Sequence, residues 1–239
     1  MKKEIFIFCF LIICACFANA KPIVDTIGLD LPCDSSLYKK FVDNKGQGEM
    51  SFMGLRNLRP VLNGVLYRSG GNNNFAPFNS RANDNPLSFQ TLVNLRENGF
   101  SKAYYLYAKN FDFHYSKEMI EGLNSIGIAY SSMVPKNDSI AYILLNEVYE
   151  SIKNPNQGAI LMHCWNGWHM SGLISALSLI QFCNYSPADA WEYWRKCTDG
   201  NDKGYTKIKD RIFNFIPSTE LAISTEEQAK ICPCKFESH

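Results

Sequence analysis

Residues 159–172, which read Ala-Ile-Leu-Met-His-Cys-Trp-Asn-Gly-Trp-His-Met-Ser-Gly, restrict the possible fold of this chain more than any other stretch. An apolar run ends in His163-Cys164, a loop with Gly167 at its centre follows, and Ser171-Gly172 opens a second apolar run. A short apolar run entered through a glycine reads as a buried strand, and the longer one behind it as a buried helix. A cysteine placed between a strand end and a helix N-terminus meets unpaired backbone N–H groups, and the dipoles that cradle an anion there also favour a thiolate. Nucleophile and oxyanion site would then share one loop.

The rest of the chain supplies the frame for such a loop. Residues 64–71 read as a short strand ending in a polar glycine turn. Helical patterns over 87–98, 116–125, 139–153 and 172–182 alternate with strand patterns over 102–108, 128–134 and 158–162, and Ser186-Pro187 begins a further helix. Ser116 is placed as an N-cap, residues 137–139 offer caps to the next helix, and Ile140, Ile143, Leu144, Val148 and Ile152 fall on one face of it. Strands alternating with helices predict an α/β fold with a mostly parallel central sheet and helices on both faces. Residues 72–86, rich in asparagine and holding Pro77 and Pro86, read as a long surface loop.

Three regions are expected: a signal peptide over 1–20, an N-terminal strap over 21–60, and one domain over 61–239. Lys2 and Lys3 precede an apolar run from Ile5 to Phe17, and Ala18-Asn19-Ala20 has the small-x-small form of a cleavage site. The run is short for a bilayer span, so a secreted or periplasmic chain with no stable membrane span is expected after cleavage. Removal of Lys2, Lys3 and Glu4 turns the formal charge from +1 to zero, which points to neither a nucleic-acid partner nor a polybasic membrane patch. The strap has little periodicity and no recognisable chemistry.

Export leaves six cysteines, at 33, 164, 183, 197, 232 and 234. An oxidising compartment favours pairing, with Cys33 to Cys232 or Cys234 as the expected bond; a fully reduced set is the alternative. Cys232-Pro233-Cys234 has no second cysteine pair or histidine pair to complete a metal site, so neither metal nor cofactor is expected.

The loop resembles the signature of the cysteine-dependent phosphatases, the protein tyrosine and dual-specificity superfamily, in which His-Cys is followed by two variable residues, Gly, two more, Arg, Ser or Thr, and Gly. His163, Cys164, Gly167, Ser171 and Gly172 match in register, and Met170 stands in the arginine's place. Tyr67-Arg68-Ser69-Gly70 is similar to a segment often found in the same family. The resemblance covers roughly residues 61–200 and implies a dual-specificity phosphatase-like fold.

It also implies roles. Cys164 would be the nucleophile, His163 and Gly172 would support the loop, and residues 165–171 (Trp165, Asn166, Gly167, Trp168, His169, Met170, Ser171) would line the phosphate site. Ser171 would donate to the sulfur as a phosphocysteine breaks down, and Asp138, on the loop after the preceding strand, would be the general acid. Met170 lacks the guanidinium that would grip phosphoryl oxygens. His169, if protonated, would supply part of that charge at mildly acidic pH, and Trp165 and Trp168 would form a binding wall. A phosphorylated small molecule or phosphoprotein is then the expected substrate, hydrolysed as a phosphate monoester. A binding module of the same architecture without turnover is the alternative. A cysteine–histidine hydrolase with His114 as base is a third reading.

Overall fold

The computed structural model describes residues 38–73 and 86–233. The expected signal peptide, residues 21–37 of the strap, most of the asparagine-rich loop, Cys33 and Cys234 lie outside the described residues. Five strands make one sheet: β1 Arg59–Leu62, β2 Leu66–Ser69, β3 Phe100–Tyr105, β4 Ala129–Ser132 and β5 Ala159–His163. Their spatial order is β1-β2-β5-β3-β4, with β1 antiparallel to β2 and every other pair parallel. The strand carrying Cys164 at its end is therefore central, paired on both edges.

Helices cover both faces, as the alternation of strand and helix patterns predicts. Helices α1 Phe89–Glu97, α2 Phe111–His114 and α3 Lys117–Ser125 precede β4, and α4 Asp138–Lys153 leads into β5. Beyond the loop come α5 Met170–Cys183, α6 Pro187–Lys196, α7 Thr206–Phe213 and α8 Thr225–Ile231. Alternation along β5 divides the core: Ile160 and Met162 pack with α4 to α8, whereas Ala159 and Leu161 pack with α1, α3 and the strap.

Local chemistry fixes the helix starts. Ser88, Ser116, Asn137 and Ser186 each accept a backbone N–H of the first turn, and Ser186 completes a capping box with Asp189. Helix α5 is apolar nearly all round and almost wholly buried, as a helix clamped between a sheet and further helices must be.

Several expectations change. Ile143 is half-exposed while Ala141 and Leu145 join Leu144, Val148 and Ile152 inside, so the buried stripe of α4 is turned from the one expected. The aromatic strand runs from Phe100 to Tyr105, two residues earlier at its start and three at its end than expected, and Asn110 in a left-handed conformation (φ 65°) then leads into α2. Cys232 pairs with Cys183, not Cys33: the end of α5 and the residue after α8 lie with Cα atoms 5.5 Å apart. Cys164 and Cys197 are free. The strap is no surface dressing over 38–58, since Val42, Phe52, Leu55 and Leu58 are buried, and so are Arg56 and Asn57.

Candidate active site

The two-residue period of a strand sends neighbouring side chains to opposite faces, so His163 and Cys164 part company at the end of β5. His163 enters the aromatic layer under α1 and α3, stacked on Tyr105 at 4.8 Å, with Nε2 2.8 Å from the Tyr130 hydroxyl. Burial pushes its pKa down to about 3, partly opposed by the Cys164 backbone, so the ring is neutral in the working range. Cys164 turns toward α5. The residue is 7% exposed and lines a cavity, and its sulfur lies 3.4 Å from Ser171 Oγ.

The loop's carbonyls are tied down one after another by groups from elsewhere in the fold. Trp165 O accepts from Arg56 Nη2 at 2.6 Å and from Gly71 N at 3.0 Å; Asn166 O accepts from Asn57 Nδ2 at 2.7 Å. Arg68 Nη2 donates to Gly167 O at 2.5 Å and to Trp168 O at 2.9 Å, and Trp194 Nε1 to His169 O at 3.1 Å. Arg56, Arg68 and Trp194 are all buried beneath the loop. In a planar trans peptide the N–H points opposite to the C=O, so the N–H groups of Trp168, His169 and Met170 are turned away from the groups that hold the carbonyls, to the cavity side of the loop. The N–H groups of residues 168–172 have no backbone acceptor among the described residues, as expected where a helix begins.

Two glycines make this close packing possible. Gly167 has φ 75°, and a Cβ on it would sit 2.7 Å from Gly70 N. On Gly172 a Cβ would meet Arg68 Nη2 at 2.8 Å and Trp194 Cδ1 at 2.9 Å, so this glycine gives the buried guanidinium its space.

The cavity above the sulfur has a volume of about 760 Å³ and aromatic walls. Trp165 meets Tyr107 edge-on at 4.6 Å, and His169 stacks on Tyr205 at 3.8 Å. Met170, the first residue of α5, adds an apolar patch, and Asn166, Asn201 and Lys203 supply polar groups. No aspartate or glutamate lines the cavity among the described residues. Lys203 is its one cationic lysine or arginine there.

The structure thus gathers residues 164–171 around one cup and leaves other candidates apart. Asp138 begins α4, exposed, with Oδ1 3.0 Å from Arg211 Nε; it is not among the cavity's lining residues. His169 reaches the cavity, but burial lowers its pKa, with a smaller contribution from the Arg68 charge against a raising contact with the Asn201 carbonyl, and Nε2 lies 2.8 Å from that carbonyl oxygen. Both lowering influences work against the protonated His169 expected at mildly acidic pH, since a partly buried imidazole beside a buried guanidinium resists a second positive charge. Trp168 lines the cavity while its Nε1 donates to Asp199, which also takes Lys40 of the strap at 2.7 Å. His114 lies against Tyr115 and does not line the cavity, which removes the base needed for a cysteine–histidine hydrolase.

Sequence reasoning missed the supports. Arg56 and Asn57 belong to a strap without periodicity, and nothing in their neighbours marks them. Arg68 stood within the Tyr-Arg-Ser-Gly segment, but only packing tells that it points under the loop. Asn201, Lys203 and Tyr205 sit between Gly200 and Gly204, both at positive φ; that pair of turn signals around a lysine was the available clue.

A cysteine at the end of a central parallel strand, with a loop and a helix N-terminus behind it, makes an α/β domain whose loop resembles the signature of the cysteine-dependent phosphatases in register. No protein-family model matches the sequence, and no curated protein does. Among solved structures it is similar to Tk-PTP in its active form, with 13% identity over 66% of this chain and 97% of that one (TM-score 0.48). It is also similar to kinase associated phosphatase with its catalytic site cysteine replaced by serine, at 14% identity over 62% and 83% of the two chains (TM-score 0.47). A third is the core catalytic domain of the PP-IP phosphatase Siw14 from S. cerevisiae, at 18% identity over 66% and 85% (TM-score 0.44).

Proposed function

We propose that the protein is an exported hydrolase of phosphate monoesters that works through a phosphocysteine. The observation carrying this reading is the Cys164 sulfur at the floor of a cavity, beside a loop whose carbonyls from Trp165 to His169 are fastened by buried side chains. Such a cup offers preorganised N–H donors to equatorial phosphoryl oxygens, and donors of that kind stabilise the charge of a phosphoryl transition state. In the first step the Cys164 thiolate attacks phosphorus, the bond from phosphorus to the leaving oxygen breaks, and a general acid protonates that oxygen. In the second, water attacks phosphorus, the sulfur leaves with a hydrogen bond from Ser171, and the water's proton returns to the acid. Asp138 is the candidate for that acid by its place at the start of α4, a role that requires its carboxylate to leave Arg211 for the substrate. Lys203 at the cavity wall faces the incoming charge. The Cys183–Cys232 bond supports an oxidising compartment, in keeping with a secreted or periplasmic location.

A second reading, a binding module without turnover, is favoured by Met170 and by the absence of a carboxylate from the described cavity lining. One experiment separates the two. Wild type and Cys164→Ser are assayed on an aryl phosphate, and iodoacetate labelling of Cys164 is followed at low pH with and without vanadate. Hydrolysis lost by about 10³-fold or more in Cys164→Ser, with vanadate-protected labelling in wild type, supports the enzyme. Protected labelling without any hydrolysis supports the binding module. Labelling only at high pH, untouched by vanadate, sinks both.

A further inference from the structure

Three arginines, Arg56, Arg59 and Arg68, are at most 1% exposed, yet no aspartate or glutamate is buried among the described residues. A buried charge normally has a partner of opposite sign, because leaving water uncompensated is costly. Arg68 has none: Nη2 goes to the carbonyls of Gly167 and Trp168, Nη1 to the Tyr193 hydroxyl at 3.1 Å, and Nε to nothing. Nε and Nη2 of Arg59 are likewise without a hydrogen bond. Arg68 therefore holds positive charge directly under the loop with no carboxylate bound to it among the described residues.

We propose that Arg68 is the cation of this site, acting from beneath the loop through the peptides it holds, in place of the guanidinium that Met170 lacks. This rests on the reading of the loop as an oxyanion cup. The carbonyls that accept from Arg68 belong to the same planar peptides as the N–H groups of Trp168 and His169, which face the cavity. A donor pulling on the oxygen end of a peptide polarises its N–H end, and chains of hydrogen bonds strengthen one another in this way. Arg68 thus stabilises negative charge on the Cys164 sulfur and on a bound oxyanion without touching either, which makes it a positioning residue. Burial works against the Arg68 cation, and negative charge on Tyr193, Cys197 or Cys164 works for it. Of these three, Cys164 alone opens into the cavity. The other groups around the guanidinium are Arg59, which faces Tyr193, and His169, whose pKa is lowered by burial first and by the Arg68 charge to a smaller extent.

The test is a double-variant cycle on the full chain, read by the pH profile of iodoacetate labelling of Cys164 and by vanadate affinity. Arg68→Gln is expected to move the labelling profile up by about one pH unit and to weaken vanadate about 100-fold, the scale of losing one oxyanion donor. In a Met170→Arg background, where charge is restored inside the cup, the same substitution should cost about tenfold or less. Equal losses in both backgrounds would mean that Arg68 merely holds the loop, and would overturn the proposal. So would a folded Arg68→Gln that labels and binds like wild type. If Arg68→Gln does not fold, Arg68→Lys replaces it: keeping the charge while giving up the fork, it must retain labelling at low pH, and loss of that labelling overturns the proposal. Wild type that neither labels at low pH nor takes vanadate defeats the oxyanion-cup reading itself, an outcome separate from the failure of Arg68 alone.

Discussion

The loop of residues 164–170 has two sides that differ in every physical respect. Underneath, the carbonyls of Trp165 through His169 are held by Arg56, Asn57, Arg68 and Trp194, all buried. Above, the cavity is aromatic and apolar, with Lys203 at its wall and no carboxylate among its described lining residues. Donors are spent below so that donors remain free above. The charge an oxyanion site needs is thus in the support, where water cannot screen it, and not in the part that touches a ligand.

This contrast can be broken by putting charge back on the upper side. Met170→Arg is expected to raise kcat/KM for an aryl phosphate by about 10²- to 10³-fold, the effect of one well-placed donor in a transition state. Unchanged kinetics in a folded variant would mean that the upper side is already complete. The lower side is probed next by Asn57→Ala, which frees the Asn166 carbonyl. A loss of about 1–2 kcal/mol in stability is expected from chemical denaturation, together with roughly tenfold weaker vanadate binding, since an unpaired buried carbonyl can flip its peptide. Stability lost with vanadate affinity intact would separate the support from the cup.

The neutral His163 gives the aromatic layer a pH signature. Its folded pKa is about 3 against about 6.5 for a free imidazole, so the unfolded chain takes up the proton first as pH falls. Stability is therefore intact above about pH 6.5 and is lost as pH falls toward 3, at up to ~1.4 kcal/mol per unit. His169, also lowered, adds a slope of the same sign. Denaturation midpoints measured across this range in wild type and His163→Phe check it: the variant should have the shallower slope. The smallest effect belongs to Lys203, which is exposed. Lys203→Ala should weaken vanadate two- to fivefold at low salt and hardly at all at high salt, because surface charge is screened. A salt-independent loss would put Lys203 among the fixed donors of the cup.

Much of the frame was readable from residue order. The strand before Cys164, the buried helix behind it and the serine caps at 116 and 186 follow from short-range pattern, which local physics enforces wherever the segment lies. The stripe of α4 was misjudged at Ile143, because which part of an apolar arc turns inward is set by the neighbour that covers it. Asp138 sits where a general acid is sought by position along the chain, yet its carboxylate meets Arg211, 73 residues away. The disulfide was misassigned for a similar reason: proximity of chain ends in sequence says little about which thiols the packing of α5 and α8 brings together.

The sequence alone determined that a cysteine would stand between a central strand and a helix N-terminus, with glycines at 167 and 172, because periodicity, caps and turn residues act over a few positions. Only the tertiary structure decided what lies under that loop. Arg56 and Asn57 of the strap, Arg68 of β2 and Trp194 of α6 come from distant parts of the chain, and no local pattern distinguishes a buried arginine that holds a carbonyl from one that points into water. That meeting of distant residues, through hydrogen bonds made only in the folded core, is what turns the loop's amides toward the sulfur.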